Sequence, residues 1–289
     1  MPVKPRNKPP VTGYVAHDVF DDSGRLLLAE GAALTPAIIQ KLEDKMIPYR
    51  IVPDQLAVTT HSLTEAAKQF ETRFAKLDLS SIVKASKYMK SILGEANQSP
   101  LLSNHLKVLI QGYKSIYSHS INVSLLAVAI ADKLNLDARS LRDLALGALY
   151  HDIGKIMLPA AVVMKTPGIF ERQDLIYQQH TKIGADLLAA DKLGKGVYLV
   201  ALQHHEKHSG GGYPAGLKED QIHIHAAIVS VANRFDWLTS AIFQNRVLSP
   251  DEAIEQLLLA KGGDFQPLVV DKFVELFREG PPPAPSPEM

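Results

Sequence analysis

The apolar residues of SLTEAAKQFETRFAKL, residues 62–77, recur at three- and four-residue spacing with charged residues between them. That is the period of a helix burying one face. The pattern after it predicts further helices over residues 80–94, 100–111, 114–134, 138–150, 172–189, 195–206 and 224–241. Ser249-Pro250-Asp251-Glu252 has capping-box spacing and opens another helix, which Gly262 and Gly263 close. A last helix is expected from about Phe265 to Phe277. A chain patterned this way must bury helix against helix, so the fold class is mainly α.

The first sixty residues read differently. VTGYVAHDVF and RLLLA are strand-like and flank the turn signal DDSG, which predicts a hairpin. Thr35 before Pro36 is a helix start, and YRIV is a further strand. The expected organisation is a small α+β module over 1–60, a helical linker region over 61–104, an all-α domain over 105–279 and a proline-rich tail over 280–289. The tail, PPPAPSPEM, is expected to be disordered.

Composition narrows the function classes. Lys plus Arg number 31 and Asp plus Glu 31, so no net basic field recruits a nucleic-acid polymer or an anionic membrane. Cysteine is absent, which excludes disulfides, thiolate metal sites and a cysteine nucleophile. The start, MPVKPRNKPP, has no apolar run behind it and is not a secretory signal. The run VSLLAVAIA, Val123 to Ala131, is too short to span a bilayer. A soluble, cytoplasmic protein is expected.

Chemistry is concentrated in the histidines. In QHHEKHSGGGYPAGL, residues 203–217, His204 and His205 are adjacent; neighbours on a helix point about 100° apart, so both cannot pack into one core. His151 and Asp152 end the apolar stretch LRDLALGALY, with Lys155 three residues on. His119 opens a strongly apolar helix and His180 lies in another amphipathic one. Imidazole and carboxylate are natural ligands for Zn, Mn, Fe or Ni. Five histidines and an aspartate exceed one tetrahedral ion and suit two ions about 3.5–4 Å apart. His17, His61 and His105 have no such neighbours, and His223 and His225 alternate at a helix mouth, where a surface role is expected. GGGYPAG is either a tight connection or a loop that lets a ligand approach the backbone beside Tyr213; the two are compatible.

HDIGK at 151–155, His119 upstream, His180, HHE at 204–206 and GGYP at 211–214 together resemble the HD-GYP domain of the HD superfamily of metal-dependent phosphohydrolases. The resemblance covers roughly residues 105–278. It implies an all-α domain that hydrolyses cyclic di-GMP, a bacterial second messenger, at a centre of two divalent ions (Fe, Mn, Zn or Ni) through a metal-bridged hydroxide. It implies His119, His151, Asp152, His180, His204 and His205 as ligands, with Asp152 and Lys155 catalytic: Lys155 stabilises the transition state or protonates the leaving group. Gly212, Tyr213 and Pro214 would line the substrate side. A diguanylate cyclase or another signalling protein is the implied partner. The N-terminal module bears a softer resemblance to a small domain found ahead of HD-GYP domains.

Four positions depart from the pattern. Where the family reads ADxxDALTS with an aspartate ligand, Asn233 stands here, and Asp236 one turn on is the candidate to compensate. Ser115 replaces the glutamate of trinuclear members, and Ser209 the aspartate of DGxGYP. Ile242 and Asn245 occupy the basic phosphate-holding positions, leaving Arg234 and Arg246 as nearby substitutes. Three functions therefore compete: a phosphodiesterase with a weakened metal pair, a degenerate sensor or docking module, and a phosphohydrolase acting on another nucleotide.

Overall fold

Every residue from Val123 to Ala131 is buried, so the most apolar run of the chain is the centre of the fold. The computed structural model describes residues 13–15, 19–21, 23–28, 32–48, 51–53, 63–66, 68, 77–158, 160–163, 175–240 and 247–278. The chain divides into two compact units, Met1–His61 and Ser62–Met289.

In the first unit β1 (Gly13–Val15) pairs antiparallel with both β4 (Ala33–Leu34) and β5 (Ile51–Pro53). The hairpin is β2 (Val19–Phe20) against β3 (Leu26–Leu28). Its turn is fastened by Asp21, whose Oδ1 accepts from the backbone N–H groups of Ser23 and Arg25, each at 3.0 Å. Helix α1 (Pro36–Asp44) begins at Thr35, whose hydroxyl accepts from Ile38 N–H. Val15, Val19, Leu34, Leu42 and Ile47 form this unit's own core.

The second unit is helical. Residues 63–66 and 68 are helical, in keeping with the periodicity of 62–77, whose remainder to residue 76 lies outside the described residues. Then come α2 (Leu79–Gln98), α3 (Pro100–Gly112), α4 (Lys114–Lys133), α5 (Ala138–Tyr150), α6 (Ala160–Val163), α7 (Leu175–Ala190), α8 (Lys195–Gln203), α9 (Ile224–Thr239), α10 (Pro250–Leu259) and α11 (Pro267–Arg278). Side-chain oxygens cap the starts: Asp78 for α2, Ser99 for α3, Asp137 for α5, and Ser249 with Glu252 as a capping box for α10. Helix α4 packs against α2, α3, α5, α9 and α11. Met89 and Leu93 of α2 and Leu106 of α3 join the same core as α4 and α9.

Helix α8 stops at Gln203, three residues before the sequence pattern suggests, so His204 and His205 stand past the helix rather than on it. A 3₁₀ helix (Ile153–Met157) follows α5, an element without a periodicity signal. Among the described residues, no helix is long and apolar enough to cross a membrane. His17, His61, Ile242, Asn245, Arg246 and the tail lie outside the described residues.

Candidate metal centre

Glycines bring the histidine-bearing elements together. Gly154, in the 3₁₀ helix, lies against α7 so closely that a Cβ there would overlap the carbonyl oxygen of His180 and come within 2.6 Å of Gly184 N. Gly147 of α5 faces α8, where a Cβ would lie 2.6 Å from Val200 Cγ2. These approaches carry Asp152 to His180 and His151 to His204.

Asp152 is the hub. Its Oδ2 lies 3.4 Å from His151 Nε2, and its Oδ1 lies 3.5 Å from His180 Nε2 and 3.6 Å from His204 Nε2. The ring of His205 is 4.1 Å from that of His204 and 5.2 Å from that of His180. Two groups of potential ligands share Asp152: Asp152 with His180, His204 and His205, and Asp152 with His119 and His151, each with ligand atoms within 4.8 Å of one another.

The tautomers follow from the far side of each ring. A carbonyl oxygen can only accept, so Nδ1–H of His151 donates to Ala148 (2.8 Å), that of His180 to Tyr177 (2.6 Å) and that of His204 to Val200 and Ala201 (both 3.0 Å). Each Nε2 lone pair is thereby turned inward. The Nε2 atoms of His151, His180, His204 and His205 and Oδ1 of Asp152 are buried with no hydrogen-bond partner. Buried polar atoms are rarely orphaned, and these five, spread over the two groups that share Asp152, fit divalent metal ions. Charge states agree. Burial pushes His180 down to about 3 and lowers His204 and His205, with Lys155 adding to the effect, so these rings are neutral, the form in which imidazole can bind a metal. Burial alone would raise the Asp152 carboxyl, but the Lys155 ammonium 2.7 Å away, with His151, holds it well below the carboxylate range. Lys155 is raised in turn, Asp152 outweighing its burial.

His119 is oriented differently. Its Nδ1 lies 2.6 Å from Oδ2 of Asp236, whose Oδ1 accepts from Asn122 Nδ2 at 2.9 Å. Asn233 is half-buried one turn earlier on α9, and Arg234 lies over the Trp237 ring at 4.7 Å. Ser115 and Ser209 are exposed. Tyr213 stacks on His205, ring centres 4.6 Å apart and planes at 23°, while Pro214 is exposed and Gly212 half-buried beside it.

Some contacts escape sequence reasoning. The Asp236–His119 pair spans 117 residues, and no local signal joins them. His225 is buried rather than superficial, because its Nδ1 lies 2.9 Å from the carbonyl of Gly196 on α8. His105 faces Asp191 at 3.5 Å across the fold.

The profile of the family described as HD domain matches residues 96–267, more than half of the chain. The chain belongs to the HD-domain family. Its HDIGK, HHE and GGYP segments are of the HD-GYP type. It is 35% identical over 152 residues to the cyclic di-GMP phosphodiesterase response regulator RpfG of Xanthomonas campestris, covering 52% of this chain and 40% of that protein. It is 34% identical over 167 residues to a cyclic di-GMP phosphodiesterase of Thermotoga maritima, covering 56% and 45%. A 3'3'-cGAMP-specific phosphodiesterase of Vibrio cholerae is 33% identical over 132 residues, covering 45% of this chain and 25% of that protein. The chain thus spans less than half the length of these relatives. The solved structure of Bd1817, an HDG"Y"P protein from Bdellovibrio bacteriovorus, shares the fold, with a TM-score of 0.53 at 21% identity over 93% of this HD-domain chain and 95% of the other.

Proposed function

We propose that this chain is a metal-dependent phosphodiesterase hydrolysing cyclic di-GMP, with its catalytic region within 105–279. The observation that carries the reading is the convergence of orphaned, buried ligand atoms on Asp152. In this reading His119, His151 and Asp152 hold one divalent ion, and Asp152, His180, His204 and His205 hold a second. Iron, manganese, zinc and nickel all suit such a donor set. When bound, such ions supply Lewis-acid polarisation of the phosphodiester and an acidified water.

The chain's own residues do the rest. Asp152 stays ionised and is common to both groups. Lys155, 2.7 Å from Asp152 and raised by it, is a cation placed to offset charge on the phosphate and the departing oxygen or to protonate that oxygen. In this reading Tyr213, stacked on His205, lines the substrate side with Gly212 and Pro214; Arg234 and Arg246 are the candidate phosphate contacts. The names of the Xanthomonas and Thermotoga relatives support the substrate class, and that of the Vibrio relative puts 3'3'-cGAMP into any substrate panel.

A second reading, binding without turnover, is favoured by one observation. The oxygens of Asp236 are engaged by His119 and Asn122, which holds this carboxylate in place rather than leaving it free to shift toward the position of Asn233.

The test is cyclic di-GMP turnover by anaerobically prepared protein loaded in turn with Fe(II) and Mn(II). Linear dinucleotide or GMP is the expected product. No conversion with both metals verifiably bound would leave a receptor or docking module.

A further inference from the structure

Glu206 follows the two adjacent histidines and is only 3% exposed, yet it belongs to neither ligand group. A buried carboxylate requires donors for its oxygens. Both sets come from one loop: Ala215 N–H donates to Oε1 at 2.7 Å and Leu217 N–H to Oε2 at 2.9 Å. The same loop is fastened twice more to this short stretch of chain. Tyr213 N–H donates to the carbonyl of His205 at 3.2 Å. Gly212 lies so close that a Cβ there would be 2.5 Å from Glu206 Cα and 2.6 Å from the His205 oxygen. Tyr213 is thus tied at its own amide and held on both sides, by the Gly212 contact before it and the Glu206 hydrogen bonds after it. Its ring meets His205 within that frame.

We infer that Glu206 is a positioning residue: its carboxylate holds the 207–217 loop closed over the histidine cluster and sets Tyr213 against His205. The consequence for nucleotide binding rests on the function proposed above; the clamp itself does not. The chemistry calls for a carboxylate specifically. Two N–H groups arrive at two oxygens, and hydrogen bonds to an ionised acceptor are about twice as strong as neutral ones. An amide of the same shape offers one acceptor and turns its own N–H₂ toward the second donor. The order of loop closure is therefore Glu, then Gln, then Ala.

The clamp is read first without nucleotide, in the zinc-loaded 289-residue chain, by hydrogen exchange at the amides of Ala215 and Leu217. Glu206→Ala is expected to speed exchange at both by about tenfold or more, and Glu206→Gln by less, with zinc content unchanged. The second arm measures cyclic di-GMP affinity by calorimetry in Glu206→Ala, Tyr213→Ala and the double variant. Each single change is expected to weaken binding about tenfold, and the double variant to be no weaker than the worse single one, since both act through Tyr213. Unchanged exchange at the two amides, zinc loss in step with loop opening, or additive effects in the double variant would each overturn the inference. If Glu206→Ala does not fold, Glu206→Gln carries both arms. If the wild-type protein binds no cyclic di-GMP, the functional reading fails, while exchange still decides the clamp.

Discussion

Oδ2 of Asp236 lies 2.6 Å from Nδ1 of His119, joining α9 to α4 inside the core. His151, His180 and His204 instead lean through Nδ1 on backbone carbonyls three or four residues earlier in the chain. Within the cluster around Asp152, His119 leans on a carboxylate, which fixes the orientation of its ring.

Replacing Asp236 with alanine is therefore expected to lower affinity at the His119–His151–Asp152 group by about 10–100-fold while sparing the other group. Asn122→Ala, which frees one oxygen of the same carboxylate, should act in the same direction and less. Metal stoichiometry after dialysis against graded chelator distinguishes the two: one equivalent lost early, one retained.

The converse change is Asn233→Asp. A neutral amide oxygen cannot balance divalent charge as a carboxylate does, and a unit charge beside an ion contributes on the order of a few kcal/mol at intermediate dielectric. Asn233→Asp is expected to tighten metal binding by at least about tenfold, roughly 1.4 kcal/mol, and to raise cyclic di-GMP turnover. A chelator competition titration checks the first. Unchanged metal content and rate would mean that position 233 does not face the centre.

Much of this cluster is legible in the sequence because its histidines and aspartate are grouped in short motifs. HDIGK, HHE and the lone His119 and His180 stand out against a helical background. The caps at Thr35 and Ser249 are legible for a local reason: each hydroxyl accepts from a backbone amide three residues on. The missed features are tertiary. Nothing in HHEKH signals a helix end, yet α8 stops at Gln203, and Glu206 beyond it turns to a loop up to eleven residues away. His225 reads as superficial until α8 brings the Gly196 carbonyl to it from 29 residues away.

Metal removal should destabilise the second unit, because four imidazole nitrogens and Asp152 Oδ1 are left buried without partners. A ligand at about 100 times its Kd stabilises by about 2.7 kcal/mol, which for a unit of this size corresponds to about 5–10 °C in melting temperature. Melts in metal and in excess chelator measure it directly. A difference confined to the first unit would contradict the placement of the site.

Acid should act on α2 through its cap. Burial alone would raise the Asp78 carboxyl, but the hydroxyls and amides of Ser80 and Ser81 outweigh it and hold Asp78 down to about 2. With the folded value below the unfolded one, the unfolded chain binds the proton first, so this contribution is present above about pH 4 and lost as pH falls toward 2. Asp78→Ala is expected to cost about 1 kcal/mol at pH 7 and progressively less in acid, where the wild type loses the cap too. Urea melts of both proteins at pH 7 and pH 3 check the convergence.

Gly154→Ala tests how the centre is assembled. The 3₁₀ helix and α7 meet backbone to backbone at Gly154 and Gly184, and a methyl group at Gly154 would overlap the His180 carbonyl. The obstruction is main chain rather than a movable side chain, so the elements must separate. That carries His180 away from Asp152, from which its Nε2 now lies 3.5 Å. The expected cost is about 3 kcal/mol or more, in the range of severe overpacking, with metal lost first from the group containing His180. Gly184→Ala should be milder, since a Cβ there would meet Gly154 N at 3.2 Å, a distance a small shift relieves. Equal melting temperatures and metal content for wild type and Gly154→Ala would refute this account of how Asp152 reaches His180.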